Sequence, residues 1–261
     1  MNFPPLMDMN QVAVFAMILI RTSVILFMFP VFGSNLIPMP VKAGLSLLMA
    51  LFLTPIVPVN PQAFPGTLLE GGLMVLSEAV IGLTLSLVVS IFFAAVQVGG
   101  QLVGYQMGFA IANVFDPVSG GQMSILSNFA FWITLVLFLV LDGHHMFIRA
   151  LAHSFEIVPV GHFYPGKSLM PSMIGLASGM FSLALQLAGP AIVALLLVNA
   201  AFGIVAKIVP QINILIVAFP INVSMGLFFF GVSLHLILVS MKAHLGTWER
   251  LLWSIMMIFG A

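Results

Sequence analysis

Three stretches of this chain contain no Asp, Glu, Lys or Arg: Ala79 to Phe115, Ser168 to Ala206, and Ile208 to Met241. Each is long enough to cross a bilayer as a helix. Roughly 20 mostly apolar residues, rising about 1.5 Å apiece, span a hydrocarbon core about 30 Å thick. Charged residues make up 5% of the 261 positions and hydrophobic ones 62%, whereas a soluble domain is about 25% charged. The chain therefore reads as an all-α integral membrane protein, or the core of a membrane-bound assembly. Its length suits a polytopic bundle of helical hairpins rather than a single anchor.

Formal net charge is zero, so no basic surface points to nucleic acid or anionic lipid. Cysteine is absent, which excludes disulfides, thiolate metal sites and cysteine nucleophiles. The opening MNFPPLMDMNQ lacks the basic region of a cleavable signal peptide, and the first apolar run, Val12 to Phe32, is expected to be retained.

Apolar patterning predicts helices over about 11–30, 41–57, 68–112, 124–141, 145–157, 172–199, 202–240 and 247–259. Pro30, Pro38 and Pro40 bracket one turn, and Pro55, Pro58, Pro61 and Pro65 extend the next connection. Broken helices in lipid need protein or water over the breaks. The 68–112 segment exceeds one untilted span, so it is expected to break, to protrude, or to pack inside a larger complex.

The richest local pattern is Gln97-Val-Gly-Gly-Gln-Leu-Val-Gly-Tyr-Gln-Met-Gly108. Gly100, Gly104 and Gly108 recur every four residues and form a stripe on which another helix can approach closely. Gln97, Gln101 and Tyr105 form an adjoining stripe, and glutamines in an apolar run need partners or water. Ordinary helix packing and a helix beside a hydrated conduit both fit. Next comes a loop at about 109–122, where Asp116-Pro117 and Gly120-Gly121 carry strong turn chemistry and Phe109 and Phe115 add apolar bulk. It reads either as a buried static connector or as a movable plug. Met107 and Met123 flank it with side chains flexible enough to seal around a variable cargo.

Towards the C-terminus an apolar arm ends at Lys207-Ile-Val-Pro210-Gln211-Ile-Asn213 and a second runs on to Ser240, a hairpin pattern. Pro190 and Pro220 are candidate kink sites, and Asn199, Asn213 and Asn222 are polar points able to fix register. Arg21 and Glu78 are intramembrane charges whose usual solution is pairing, although only their opposite signs suggest that pair. Asp142, His144 and His145, with His153, offer ligand chemistry at a spacing that matches no HExxH-type site. A polar loop or helix end at the membrane surface accounts for them better. No P-loop and no nucleophile elbow is present. Neither an enzyme, a cofactor nor a bound metal is expected.

The segment Gly100-Gln-Leu-Val-Gly-Tyr-Gln-Met-Gly-Phe-Ala110, leading into Asp116-Pro117 and Gly120-Gly121, resembles the FliR family of flagellar and injectisome export-gate proteins. The likeness extends over essentially the whole chain, including Arg21, the Pro38/Pro40 turn and the Lys207–Asn213 turn. One departure is Met123-Ser124, where the family pattern leads one to expect a proline. The resemblance implies a non-enzymatic export-gate subunit that joins FliP and FliQ at the centre of the basal body, with FlhB, and FlhA nearby. Its cargo would be unfolded export substrates crossing the bacterial inner membrane. It also implies a FliP-like region over residues 1–187, with a plug near 109–122, and a FliQ-like hairpin over 188–261. The likeness leans to the flagellar branch, with an injectisome subunit as the alternative. A secondary transporter or channel is the rival class, though no inverted repeat or cluster of intramembrane carboxylates supports it. Lys207 and Lys242 flank opposite ends of one arm, so the positive-inside rule leaves topology open.

Overall fold

The computed structural model describes residues 9–33, 37–57, 67–109, 125–161, 169–211 and 213–260. Among them every regular element is a helix: α1 (Met9–Met28), α2 (Pro30–Gly33), α3 (Met39–Leu53), α4 (Leu68–Gln106), α5 (Ile125–Val140), α6 (Gly143–Ile157), α7 (Leu169–Ile208) and α8 (Ile214–Gly260). Four helices, or five if α5 and α6 count as one broken span, are long and apolar enough to cross a membrane. The protein is a multi-pass, all-α membrane protein.

Local chemistry sets many of the boundaries. Pro38 precedes α3 in extended conformation (φ −57°, ψ 143°), with Pro40 in its first turn, where a missing N–H costs nothing. Thr67 and Glu70 form a capping box at the start of α4. The Thr67 hydroxyl accepts the Glu70 N–H, and the Glu70 carboxylate accepts the Thr67 N–H, both at 3.3 Å. Asp142 separates α5 from α6 with a left-handed φ of 56°.

The long helices differ from their sequence-based bounds. α4 ends at Gln106 rather than near 112, because Gly108 turns left-handed (φ 92°) just beyond it. α7 runs unbroken through the expected gap at 200–201 to Ile208, and α8 runs unbroken through the gap at 241–246. Ala200 and Ala201 are good helix formers, as are Met241, Lys242 and Ala243, and the single Gly246 costs a helix only about 1 kcal/mol, so neither gap stops its helix. Pro210 does break the chain, and it marks the real turn. At 39, 40 and 47 residues, α4, α7 and α8 extend about 58, 60 and 70 Å, each well beyond a hydrocarbon core of about 30 Å.

The chain divides into two compact units. The first holds residues 1–90, 142–175 and 245–261, and the second 91–141 and 176–244, so α4, α7 and α8 contribute a segment to each. In the first unit Ile18, Ile25, Phe29, Ile81, Leu85 and Phe155 are fully buried, and Phe29 stacks on Phe147 at 4.0 Å. In the second, Phe93 meets both Phe131 and Phe138 edge-on at 5.7 Å.

Candidate functional site

In the first unit, Arg21 of α1 and Glu78 of α4 are both completely buried and paired, Nε donating to Oε2 at 2.6 Å. One guanidinium nitrogen also donates to the Ser154 carbonyl at 2.9 Å and to its hydroxyl at 3.2 Å, and the other to the Val158 carbonyl at 3.1 Å. Those carbonyls lie at the C-terminal end of α6, where the helix dipole favours a cation. The Phe155 ring lies under the guanidinium at 4.2 Å. The second carboxylate oxygen of Glu78 accepts the Gly161 N–H at 3.0 Å. Both charges are therefore hydrogen-bonded on every side used, the condition under which a buried ion pair is tolerated.

Gly82, one turn after Glu78, makes this geometry possible. A Cβ there would stand 3.0 Å from the Arg21 carbonyl oxygen and 3.1 Å from the Val24 Cβ. The same face of α4 thus supplies the carboxylate and the close backbone approach. Ser154, Phe155, Val158 and Gly161 carried no sequence signal as partners of Arg21. Gly82, four residues after Glu78, could have been read.

In the second unit, the glycine stripe has divided roles. A Cβ on Gly100 would lie 2.9 Å from the Ser127 Cα and 3.1 Å from the Leu126 carbonyl oxygen, so α5 approaches α4 backbone to backbone. The Ser127 hydroxyl donates to the Gln97 carbonyl at 2.8 Å across that contact. Gly99, outside the predicted stripe, does the same for α7, since its Cβ would meet the Ala184 carbonyl oxygen at 3.1 Å. Gly104 is buried. Gly108 serves the helix end as well as facing Phe219 of α8. Its N–H bonds the Tyr105 carbonyl and the Phe109 N–H bonds the Gly104 carbonyl, each at 3.1 Å. This is the paired pattern of a Schellman cap, which needs a left-handed residue where Gly108 stands.

Gln101 and Tyr105 hydrogen-bond each other at 2.7 Å on an exposed face, with Tyr105 47% exposed. Met107 is completely buried in a cradle that exists because residue 226 is glycine; a Cβ there would lie 2.6 Å from the Met107 sulfur. Phe219 packs on the other side of the same exit, 3.5 Å from a Cβ built on Gly108. Phe109 is half-buried. Phe115, Asp116, Pro117, Gly120, Gly121 and Met123 lie outside the described residues.

Lys207, Pro210, Gln211 and Asn213 are all exposed, at the turn between α7 and α8. The Asn213 carbonyl opens α8 by accepting the Ile216 N–H at 3.1 Å. Asn222 donates to the Asn199 side-chain oxygen at 2.9 Å, a polar tie between the two arms.

A buried, hydrogen-bonded ion pair and glycines at close helix contacts are packing features of a multi-pass helical membrane protein. The family of bacterial export proteins, family 1, matches residues 12–248, and this chain belongs to it. The chain is 34% identical to the flagellar biosynthetic protein FliR of Pectobacterium carotovorum subsp. carotovorum, covering 87% of each. It is 31% identical to that of Bacillus subtilis strain 168, covering 87% of this chain and 88% of the relative. To that of Escherichia coli K12 it is 28% identical, covering 80% and 79%.

Proposed function

We infer that this chain is a non-enzymatic subunit of the flagellar type III export apparatus, seated in the bacterial inner membrane at the basal body. The observation that carries the reading is the family match along nearly the whole chain, with relatives named flagellar biosynthetic protein FliR matching 87% of it. In this reading the chain assembles with FliP- and FliQ-like subunits, residues 1–187 acting as the FliP-like part and 188–261 as the FliQ-like hairpin. The exposed Lys207–Asn213 turn meets an FlhB-like partner, with an FlhA-like subunit nearby. Helices longer than the bilayer is thick suit a subunit that packs inside a larger helical assembly.

The mechanism proposed is a sealed conduit for unfolded export substrates. The loop at 109–122 closes it, and its root is fixed: Met107 sits in the Gly226 cradle and the Gly108 cap directs the chain out of α4. A seal of apolar contacts worth about 25 cal/mol per Å² blocks ions yet yields to a passing chain. Gln97, Gln101 and Tyr105 supply polar points along the neighbouring face.

The test is deletion of the chromosomal gene, with secretion of flagellar substrates into the medium as the readout, and purification of the tagged chain expressed from its native operon. Loss of secretion and recovery of FliP- and FliQ-like partners are expected, and Gly104→Leu should abolish both. Unimpaired secretion together with a stable homo-oligomer would favour the transporter class instead.

A further inference from the structure

Asp142, His144 and His145 stand at the start of α6, and the structure brings their ligand atoms together, one from each residue within 4.8 Å of the other two. We propose that this elbow binds a divalent transition ion of borderline softness, Zn²⁺ in the first instance, through two imidazoles and one carboxylate. Sequence spacing argued against a site because it fits no helical HExxH pattern. What spacing could not reveal is the left-handed backbone of Asp142, at φ 56°.

Three observations point to a ligand. Asp142 occupies the N-cap position of α6, where its carboxylate would ordinarily accept a backbone N–H of the first turn, yet it makes no such bond. It forms a hydrogen bond with His145 instead, Oδ1 lying 3.1 Å from Nδ1. That separation is close to the edge of a tetrahedral site with metal–ligand bonds near 2.0–2.1 Å, about 3.3 Å. His144 lies alongside, its ring centroid 4.1 Å from that of His145, and its Nδ1 is buried with no hydrogen-bond partner among the described residues. A buried polar atom without a partner is uncommon and costly, and a water or an ion would satisfy it.

Chemistry and access agree. Imidazole and carboxylate suit zinc, and no cysteine is present to compete for it. The His145 and Asp142 side chains are 60% and 72% exposed, so small rotations can draw the three groups from 4.8 Å to bonding distance. Three protein ligands leave a fourth position open to water. The positive end of the α6 dipole opposes a cation weakly, and the Asp142 charge offsets it.

The experiment uses the full chain co-purified with its partners through a tag without histidine, stripped with chelator and titrated with Zn²⁺ by calorimetry. Co²⁺ serves as a spectroscopic reporter of four-coordinate nitrogen and oxygen ligation. Saturable binding of one ion per chain is expected. His145→Ala and Asp142→Asn should each weaken it at least about tenfold, while His153→Ala, at the other end of α6, leaves it unchanged. Each variant must yield the complex in wild-type amount. Absence of saturable binding, or binding indifferent to both His145→Ala and Asp142→Asn, overturns the site.

Discussion

At the scale of single residues, the chain invests its few charges sparingly and satisfies the buried ones. Arg21 uses Glu78, two carbonyls, a hydroxyl and an aromatic face. Removing one partner is therefore worse than removing both. Arg21→Met leaves the Glu78 carboxylate buried with only the Gly161 N–H, a loss of about 3–5 kcal/mol. The double variant Arg21→Met/Glu78→Met should recover most of that. Thermal unfolding in detergent would read the difference, and a double variant no better than the single would mean that the pair is not a coupled unit. Gly100 is the second residue with a sharp expectation. Its neighbours are backbone atoms of α5, which cannot swing aside, so Gly100→Val should cost about 1–3 kcal/mol or more. Gly179→Ala, where a Cβ meets nothing within 4 Å, should leave the level of folded protein unchanged in the same assay.

At the scale of elements, the α7–α8 hairpin is joined by an exposed turn and tied by Asn199 and Asn222. Sliding one arm along the other would strand these two amides. A double-mutant cycle with Asn199→Ala and Asn222→Ala should give a coupling of about 0.6 kcal/mol, and at most about 1.7. Zero coupling would assign register to the apolar packing alone. The Asn222 side-chain oxygen is itself buried without a partner among the described residues, a polar atom left for something beyond this chain or for water. The turn was legible from Pro210 and its polar neighbours. The helix limits on either side were not, because alanine-rich and charged segments between apolar runs continue a helix as readily as they interrupt one.

At the scale of the whole molecule, the proposed seal makes a separate prediction. Deleting Ser119 to Gln122, or replacing Phe109 and Phe115 with alanine, should leave the hetero-oligomer assembled but leaky. The root of the loop, with its Gly108 cap and buried Met107, lies outside the deletion and keeps α4 in place. Ion conductance of cells expressing the assembled variant is the measurement. Unchanged permeability would make the loop a static connector. Gly226→Ala is a useful companion, since it displaces Met107 and leaves the loop's sequence unaltered.

The charge-free stretches by themselves determined that this chain is a helical integral membrane protein or the core of a membrane-bound assembly, because stretches of that length have few stable alternatives. The glycine–glutamine segment and the Asp-Pro loop pointed to the export family, and at Gly100 the α5 backbone lies 2.9 Å from where a Cβ would stand. Other assignments depended on tertiary structure. Opposite charges at 21 and 78 are compatible with many folds, and only the approach of α1 and α4 at Gly82, beside the end of α6, makes them a buried pair. Gly108 keeps the same four-residue spacing as Gly100 and Gly104, yet it caps the helix, since periodicity records position along a helix and not where the helix stops. Gly99 and Gly226 lie off that stripe and carry contacts as close. Such contacts belong to a pair of surfaces, and a sequence lists only one residue at a time.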